Sequence, residues 1–381
     1  MRFGCFLLAA LIGPAVAQPA SFEAGRLAQG EGEWLAGDLH SHSRHSEDSS
    51  NHPIRAMQEF AARHGLDFLL ISDHDNHVGG ATAQHTWVDP EFASDEIVML
   101  YGAELTAERG HINTMSCAPY DHQRLYDLRD ALDIQIQAAA RDMGVQLSAN
   151  HPAGKDAFSF SYDMVASVEV WNSAFFEDKQ AALMLWDDLL KSGRMVTGIG
   201  GSDSHHGIRA NGDRSTPRAL EALTTNLGTP TTWVLAQARD CASVLRAIDR
   251  GRVSISANPY APRVELAADT DGDGAIDMLM GDNRAATGQE ISFTVRLAGG
   301  DLADAAYSIA IVKNGHPFRT LELVGARSLT FADTTEPGKR SYYRVEVLGP
   351  VPDHPSVPYQ KSVAGQTVAL SNPLFFNFDG G

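Results

Sequence analysis

The stretch PIRAMQEFAARHGLDFLLISDHD, residues 53–75, holds one helix-to-strand unit and its polar exit. Pro53 suits the start of a helix, where its missing N–H costs nothing. Ile54, Met57, Phe60 and Ala61 recur at helical spacing and predict one buried face, and Gly65 is suited to end the helix. Phe68-Leu69-Leu70-Ile71 is an unbroken apolar run, the pattern of a buried strand. It ends abruptly in Asp73-His74-Asp75.

The same grammar extends in both directions. Residues 34–39 predict a strand ending in His40-Ser41-His42. Residues 97–103 end in Glu104, with His111 soon after, and residues 145–150 end in His151. Residues 168–170 lead to Trp171-Asn172, and 195–201 lead to Asp203-Ser204-His205-His206. Helices are expected at about 124–143 before Gly144, at 179–191 before Gly193, and at 241–250 with Asp240 as cap and Gly251 after it. Alternating strands and helices from Trp34 to about Ser256 predict a parallel α/β architecture. In an α/β barrel such strand ends open onto one face, where active sites are built. Past Pro259-Tyr260-Ala261-Pro262 helical periodicity stops. Alternating runs at 291–295 and 342–347 predict a small antiparallel β domain, a sandwich.

Six strands thus deliver His, Asp, Glu or Asn to one rim. Residues i and i+2 of a strand share a face, so His40 and His42 can reach the same ion, and Asp203-Ser204-His205 repeats that spacing. Taken singly, each motif is as readily a surface pair or a hydrogen-bonded core histidine. Imidazole with carboxylate and no thiolate suits Zn, Mn or Fe. A carboxylate between two ions can bridge them, and the bridged pair can ionise a shared water.

The series DLHSH (38–42), ISDHD (71–75), GAEL (102–105) with GHIN (110–113), NHP (150–152), VEVWN (168–172) and GGSDSH (200–205) resembles the PHP (polymerase and histidinol phosphatase) superfamily. It is most similar to the carbaryl-hydrolase-like CehA/McbA branch, over residues 34–259. The resemblance implies a distorted (β/α)7 barrel with two or three divalent ions. His40, His42, Glu104 and Asp203 would hold one ion, and Glu104 would bridge to a second on His111 and His151. A third would rest on His74, His205 and an acid of the loop His45-Ser46-Glu47-Asp48, with Glu47 favoured over Asp48. Glu104, Asp203 and His205 are the expected catalytic residues. Arg44, Arg109, Lys155, Arg209 and His206 stand near ligand motifs and can meet an anionic group such as phosphate, or serve as ordinary surface charges. Asn172 and Trp171 can shape the pocket; Trp171 equally reads as core.

Asp269-Thr-Asp271-Gly-Asp273-Gly274-Ala-Ile-Asp277 has the acidic spacing of an EF-hand-like calcium loop. Met280 stands where the closing Glu belongs, with Asp282 as a stand-in.

Bulk properties bound these readings. The chain has 381 residues, 43% hydrophobic and 20% charged, which leaves room for two domains. Thirty basic against 48 acidic residues give a net charge of −18. So acidic a chain lacks the basic stripe of a nucleic-acid binder. Arg2, an apolar run over residues 3–12, Gly13-Pro14 and Ala15-Val16-Ala17 predict a secretory signal cut after Ala17, hence a periplasmic or secreted protein. Its loss would take the charge to −19, with 29 basic residues left. No other segment is long and apolar enough to span a membrane. The expected divisions are 1–17 signal, 18–260 metallohydrolase barrel and 261–381 β-sandwich-like domain. Cys117 and Cys241 read equally as a disulfide or as two buried thiols.

The favoured function is hydrolysis of a small-molecule phosphomonoester or phosphodiester by a metal-bound hydroxide. The alternative is a carbamate or carboxylic-ester hydrolase with the same centre. A PHP domain without catalysis, serving as a binding or structural module, is the rival of another class.

Overall fold

The helix-to-strand unit forms α1 (Ile54–Arg63) and β2 (Phe68–Ile71), which follow β1 (Glu33–Ser41). Ile54, Met57, Phe60 and Ala61 are buried, and Gly65 turns the chain at φ 74°. A computed structural model describes residues 26–27, 30–49, 52–154, 158–174, 179–207, 226–300, 305–354 and 367–378. The expected signal, Lys155 and Arg209 lie outside them.

The fold is mixed α/β, with few helices and many strands. β1, β2 and β3 (Val98–Ala107) run parallel. β4 (Gly110–Ser116) returns antiparallel to β3, so the sheet is not the purely parallel one expected. β5 (Gln146–Ala149) reverses the direction again, and β6 (Ser167–Asn172) and β7 (Thr197–Gly201) continue parallel to it. Six strands therefore point one way, with their carboxyl ends on one rim. Glu104 lies inside β3 rather than at its end, because pairing with β4 carries the strand on to Ala107.

Among the described residues these strands close no barrel. β7 meets β1 only past its carboxyl end, where Asp203 N–H donates to His40 O (2.8 Å) and His42 N–H to Ser204 O (2.9 Å). The helix expected at 124–143 is two, α2 (His122–Asp127) and α3 (Asp133–Asp142). Tertiary bonds hold the break open. The Asp133 carboxylate receives Arg109 Nη2 (2.5 Å) and Ser161 N–H (2.7 Å). α4 (Lys179–Lys191) and α5 (Cys241–Asp249) sit where expected, and the Asp240 side chain caps α5 by accepting Ser243 N–H at 2.7 Å. No helix among the described residues is long and apolar enough to cross a membrane.

On the other side of β1 lies β8 (Thr231–Ala236), antiparallel to it, and next β9 (Val253–Ser256), antiparallel to β8. β9 pairs in turn with Thr367–Ser371, so the late strands extend the sheet that carries the rim. A second, four-stranded sheet includes Arg263–Asp269, Glu290–Ala298 and Ser328–Thr334. It packs Phe293 and Phe331 against Tyr343 of the first sheet, with Phe293 and Tyr343 ring centroids 4.5 Å apart. One core cluster runs from Leu39 and Phe68 through Trp171 and Trp186 to Tyr342 and Phe376. Cys117, just past β4, is disulfide-bonded to Cys241 at the start of α5, which decides between the two readings of these cysteines.

Arg344, 2% exposed, spans the two parts of the chain. It donates Nε to Asp187 Oδ1 (2.9 Å) and Nη2 to Oδ2 (2.7 Å) on α4, while Tyr342 Oη donates to Oδ1 (2.8 Å). Removing one partner of a buried pair strands the other charge. We expect Arg344→Ala to lower stability in urea unfolding by about 3–5 kcal/mol. A loss below about 1 kcal/mol would show that this pair does not brace the fold.

Candidate metal centre

Asp38 draws the rim together. Its buried carboxylate accepts backbone N–H groups from His40 (3.1 Å), Ser202 (3.0 Å) and Gly228 (2.7 Å). Burial pushes its pKa up to about 6 against the pull of those bonds. The clamp joins the ends of β1 and β7, so that His40, His42 and Asp203 converge. His151 and Asp203 hold left-handed backbone, φ 26° and 51°. Such strain costs a non-glycine residue of order 1–3 kcal/mol and gathers at functional sites.

Four donor atoms meet first. His40 Nε2 lies 3.1 Å from His42 Nε2, 3.2 Å from Asp203 Oδ1 and 3.4 Å from Glu104 Oε2. His42 Nε2 lies 3.1 Å from Asp203 Oδ1 and 3.4 Å from Glu104 Oε2. A tetrahedral cation with bonds of about 2.0–2.1 Å sets its ligands roughly 3.3 Å apart. The donor spacing fits such an ion. Glu104 Oε2 is buried, with His74 Nδ1 3.0 Å away, and accepts no well-directed hydrogen bond among the described residues, a costly position for an anionic oxygen unless positive charge meets it.

Glu104 Oε1 faces the other way, 3.1 Å from His111 Nδ1 and 3.3 Å from His151 Nε2, and accepts Asn150 Nδ2 at 2.8 Å. One carboxylate thus serves two donor sets. A third set gathers His74 Nε2 and His205 Nε2 at 3.5 and 3.1 Å from Asp48 Oδ2. Of the two loop acids it is Asp48, not the favoured Glu47, that makes this approach among the described residues. The loop sets the choice: Ser49 Oγ donates to His205 O at 2.5 Å and so presents Asp48 to the histidines.

Neighbours aim the rings. His42 Nδ1 meets Ser46 Oγ (3.0 Å), His74 Nδ1 meets Thr106 Oγ1 (2.8 Å), and His205 Nδ1 meets Asp203 O (2.8 Å). Such partners fix which nitrogen would face an ion. Burial opposes charge at His40, yet the carboxylates of Asp203, Glu169 and Glu104 hold it well above the usual histidine range. Likewise, against burial, Asp48 and Glu104 raise His74 to about 10, Glu104 raises His151 to about 9, and Asp203 and Asp48 raise His205 to about 9. His42 goes down, to about 3, through burial and the neighbouring charge of His205. Despite burial, Glu104 and Asp203 stay far below the carboxylate range, held there foremost by His40. These carboxylates demand positive charge.

The expected substrate contacts fare differently. Arg44 turns to Asp89 (2.8 Å), and Arg109 turns to Asp133 and lies 4.2 Å over the Phe160 ring. Asn172 Nδ2 reaches Glu169 Oε2 (3.0 Å) and Asp203 Oδ2 (3.4 Å). His206 is half-buried, its ring centroid 6.3 Å from that of His205. Trp171 is fully buried in the core. Sequence reasoning missed Glu169, buried on β6 with Oε1 3.1 Å from His40 Nδ1. The signal was present: an acid between Val168 and Val170 faces the side of the strand opposite to both.

In the acidic loop, Asp269, Asp271 and Asp273 offer oxygens within 4.8 Å of one another and can hold an ion. Asp277 does not join them. It accepts Arg284 Nη1 (2.8 Å) and Thr270 Oγ1 (2.7 Å). Asp282 is no stand-in for the closing Glu, because it accepts Arg252 Nη2 (2.6 Å) and Leu279 N–H (2.8 Å).

No family model, curated protein or solved structure matches the chain.

The two loop acids are separable by experiment. We expect Asp48→Ala to lower bound divalent metal per chain, by plasma mass spectrometry, while Glu47→Ala leaves it unchanged. The reverse result would restore Glu47.

Proposed function

We propose that the chain is an exported metal-dependent hydrolase of the PHP type, nearest the carbaryl-hydrolase-like branch. The two-faced carboxylate of Glu104 carries this reading, with Oε2 in one donor set and Oε1 in another. The common direction of six strands and the contact of β7 with β1 support a distorted (β/α)7 arrangement. His40, His42, Glu104 and Asp203 would hold one ion, Glu104, His111 and His151 a second, and His74, His205 and Asp48 a third. The donors suit Mn, Zn or Fe. Bound there, such ions supply Lewis acidity and a nucleophile from water at neutral pH. With neutral imidazoles, the acids Asp48, Glu104, Glu169 and Asp203 carry negative charge that divalent ions held there would offset. The Cys117–Cys241 disulfide supports a periplasmic or secreted location.

The proposed substrate is a phosphomonoester or phosphodiester. Three donor sets on one rim suit charge spread over several oxygens. Carbamate or carboxylic-ester hydrolysis is the second reading, and one observation favours it. Arg44 and Arg109 are engaged by Asp89 and Asp133, so neither is released to receive a phosphate. We expect the Mn- or Zn-loaded protein to cleave nitrophenyl phosphate or bis-nitrophenyl phosphate. Glu104→Gln should lower kcat at least about a hundredfold with the fold retained, as removal of several kcal/mol of charge stabilisation requires. Cleavage of naphthyl carbamates or aryl acetates alone would replace the substrate class. Inactivity on all four would sink the hydrolase.

We further propose that Asp269, Asp271 and Asp273 bind calcium. Calcium should then raise the melting temperature, since a ligand bound only by the folded state stabilises it. A rise that persists in the Asp271→Ala, Asp273→Ala double variant would place calcium elsewhere.

A further inference from the structure

Glu169 touches one residue of each of two donor sets without belonging to either. Its Oε1 lies 3.1 Å from His40 Nδ1. Its Oε2 accepts the backbone N–H of His151 (2.8 Å) and Nδ2 of Asn172 (3.0 Å). The side chain is 2% exposed, on β6 between β5, which ends just before His151, and β7, which leads to Asp203.

We propose that Glu169 is a positioning residue shared by the two ion positions, orienting His40 for one and His151 for the other; this rests on the metal reading above. Nε2 of His40 faces the first donor set, so Nδ1 carries the proton and donates it to Glu169, which fixes tautomer and ring plane together. At His151 the hold is on the main chain. The residue stands at φ 26°, and the bond from its N–H to Oε2 secures that turn, from which Nε2 reaches Glu104.

The neighbouring strand leaves room for this arrangement. A Cβ on Gly201 would fall 2.3 Å from Glu169 Oε1 and 2.4 Å from His40 Cβ, so only glycine lets the pair meet there. The chemistry also calls for an acid rather than an amide. Both His40 Nδ1–H and His151 N–H are donors, and a glutamine has one acceptor oxygen for the two. Its amide nitrogen would confront a second donor, so Glu169→Gln breaks one link and Glu169→Ala breaks both.

The test is a Mn2+ titration, by calorimetry with metal counting, of metal-stripped full-length wild-type, Glu169→Gln and Glu169→Ala proteins. We expect two or more ions per chain in the wild type. Affinity at two positions should fall about 10–100-fold in Glu169→Ala, as for other partners of metal-bound histidine. In the Zn-loaded wild type, the bonded His40 imidazole N–H should give a downfield proton resonance, absent from Glu169→Ala, which a purely structural role would not predict. If Glu169→Ala does not fold, Glu169→Gln carries the same reading, with weakened binding expected. Tight binding in wild type and variants alike, or weakening of Glu169→Ala at one position only, overturns the shared role of Glu169 and leaves the metal reading standing. A wild type that binds no divalent ion overturns both.

Discussion

A carboxylate sealed from water must be met by donors or by positive charge, and Glu104 has one oxygen that lies among His40, His42 and His74 with no well-directed hydrogen bond among the described residues. Burying such a charge alone costs several kcal/mol. The surrounding structure is organised around that residue. β4 returns beside β3, setting Thr106 opposite His111 and Glu104 opposite Asn113, so that His111 reaches one carboxylate oxygen. Asn113 holds β1 through Leu39 O (2.9 Å), and its N–H meets Asn150 (3.2 Å), whose amide in turn serves Glu104. The antiparallel strand is therefore no interruption of the parallel order. It is what gives Glu104 its second face.

Across the rim, Asp38 does for β1 and β7 what the asparagines do for β3 to β5. It accepts three backbone N–H groups, so it fixes chain positions and leaves the histidines to the centre. Behind the rim the core runs on into the late strands. The pairing of β9 with Thr367–Ser371 and the Arg344–Asp187 contact tie those strands to the same sheet and to α4. Stiffness at the rim thus draws on residues more than a hundred positions away.

Much of this was legible because periodicity and polarity changed together. The apolar face of α1, the buried run of β2 and the capped start of α5 are local patterns, and the strand exits named His40, His42, His74, His151 and Asp203 directly. What escaped was set by distant partners. Asp48 rather than Glu47 faces His74 and His205 because Ser49 bonds a carbonyl 156 positions away, in a loop with no period to read. The helix break after Asp127 depends on Arg109, whose partner Asp133 no spacing rule would assign. Arg44 likewise looks like a substrate contact until Asp89 claims it. Nearness in sequence to a ligand motif says little about where a long cationic side chain finds its partner. Glu169 was hidden differently, inside a motif whose flanking valines already explained it as strand.

The charge pattern itself argues for ions rather than protons at this centre. A proton sits on one nitrogen, and its charge then repels the next ring. His42 shows the conflict. Its ring centroid lies 4.0 Å from that of His205 and 4.5 Å from that of His74, and its pKa falls to about 3 while theirs rise to about 9 and about 10. Protonation therefore cannot supply every ring that borders Glu104 and Asp203. A divalent cation would put its charge at the point where Nε2 of His40, Nε2 of His42 and two carboxylate oxygens converge, and it would leave the imidazoles neutral. The repulsion between rings then disappears while the carboxylates keep their counter-charge. Four lone pairs that can only crowd around a proton can all point at an ion.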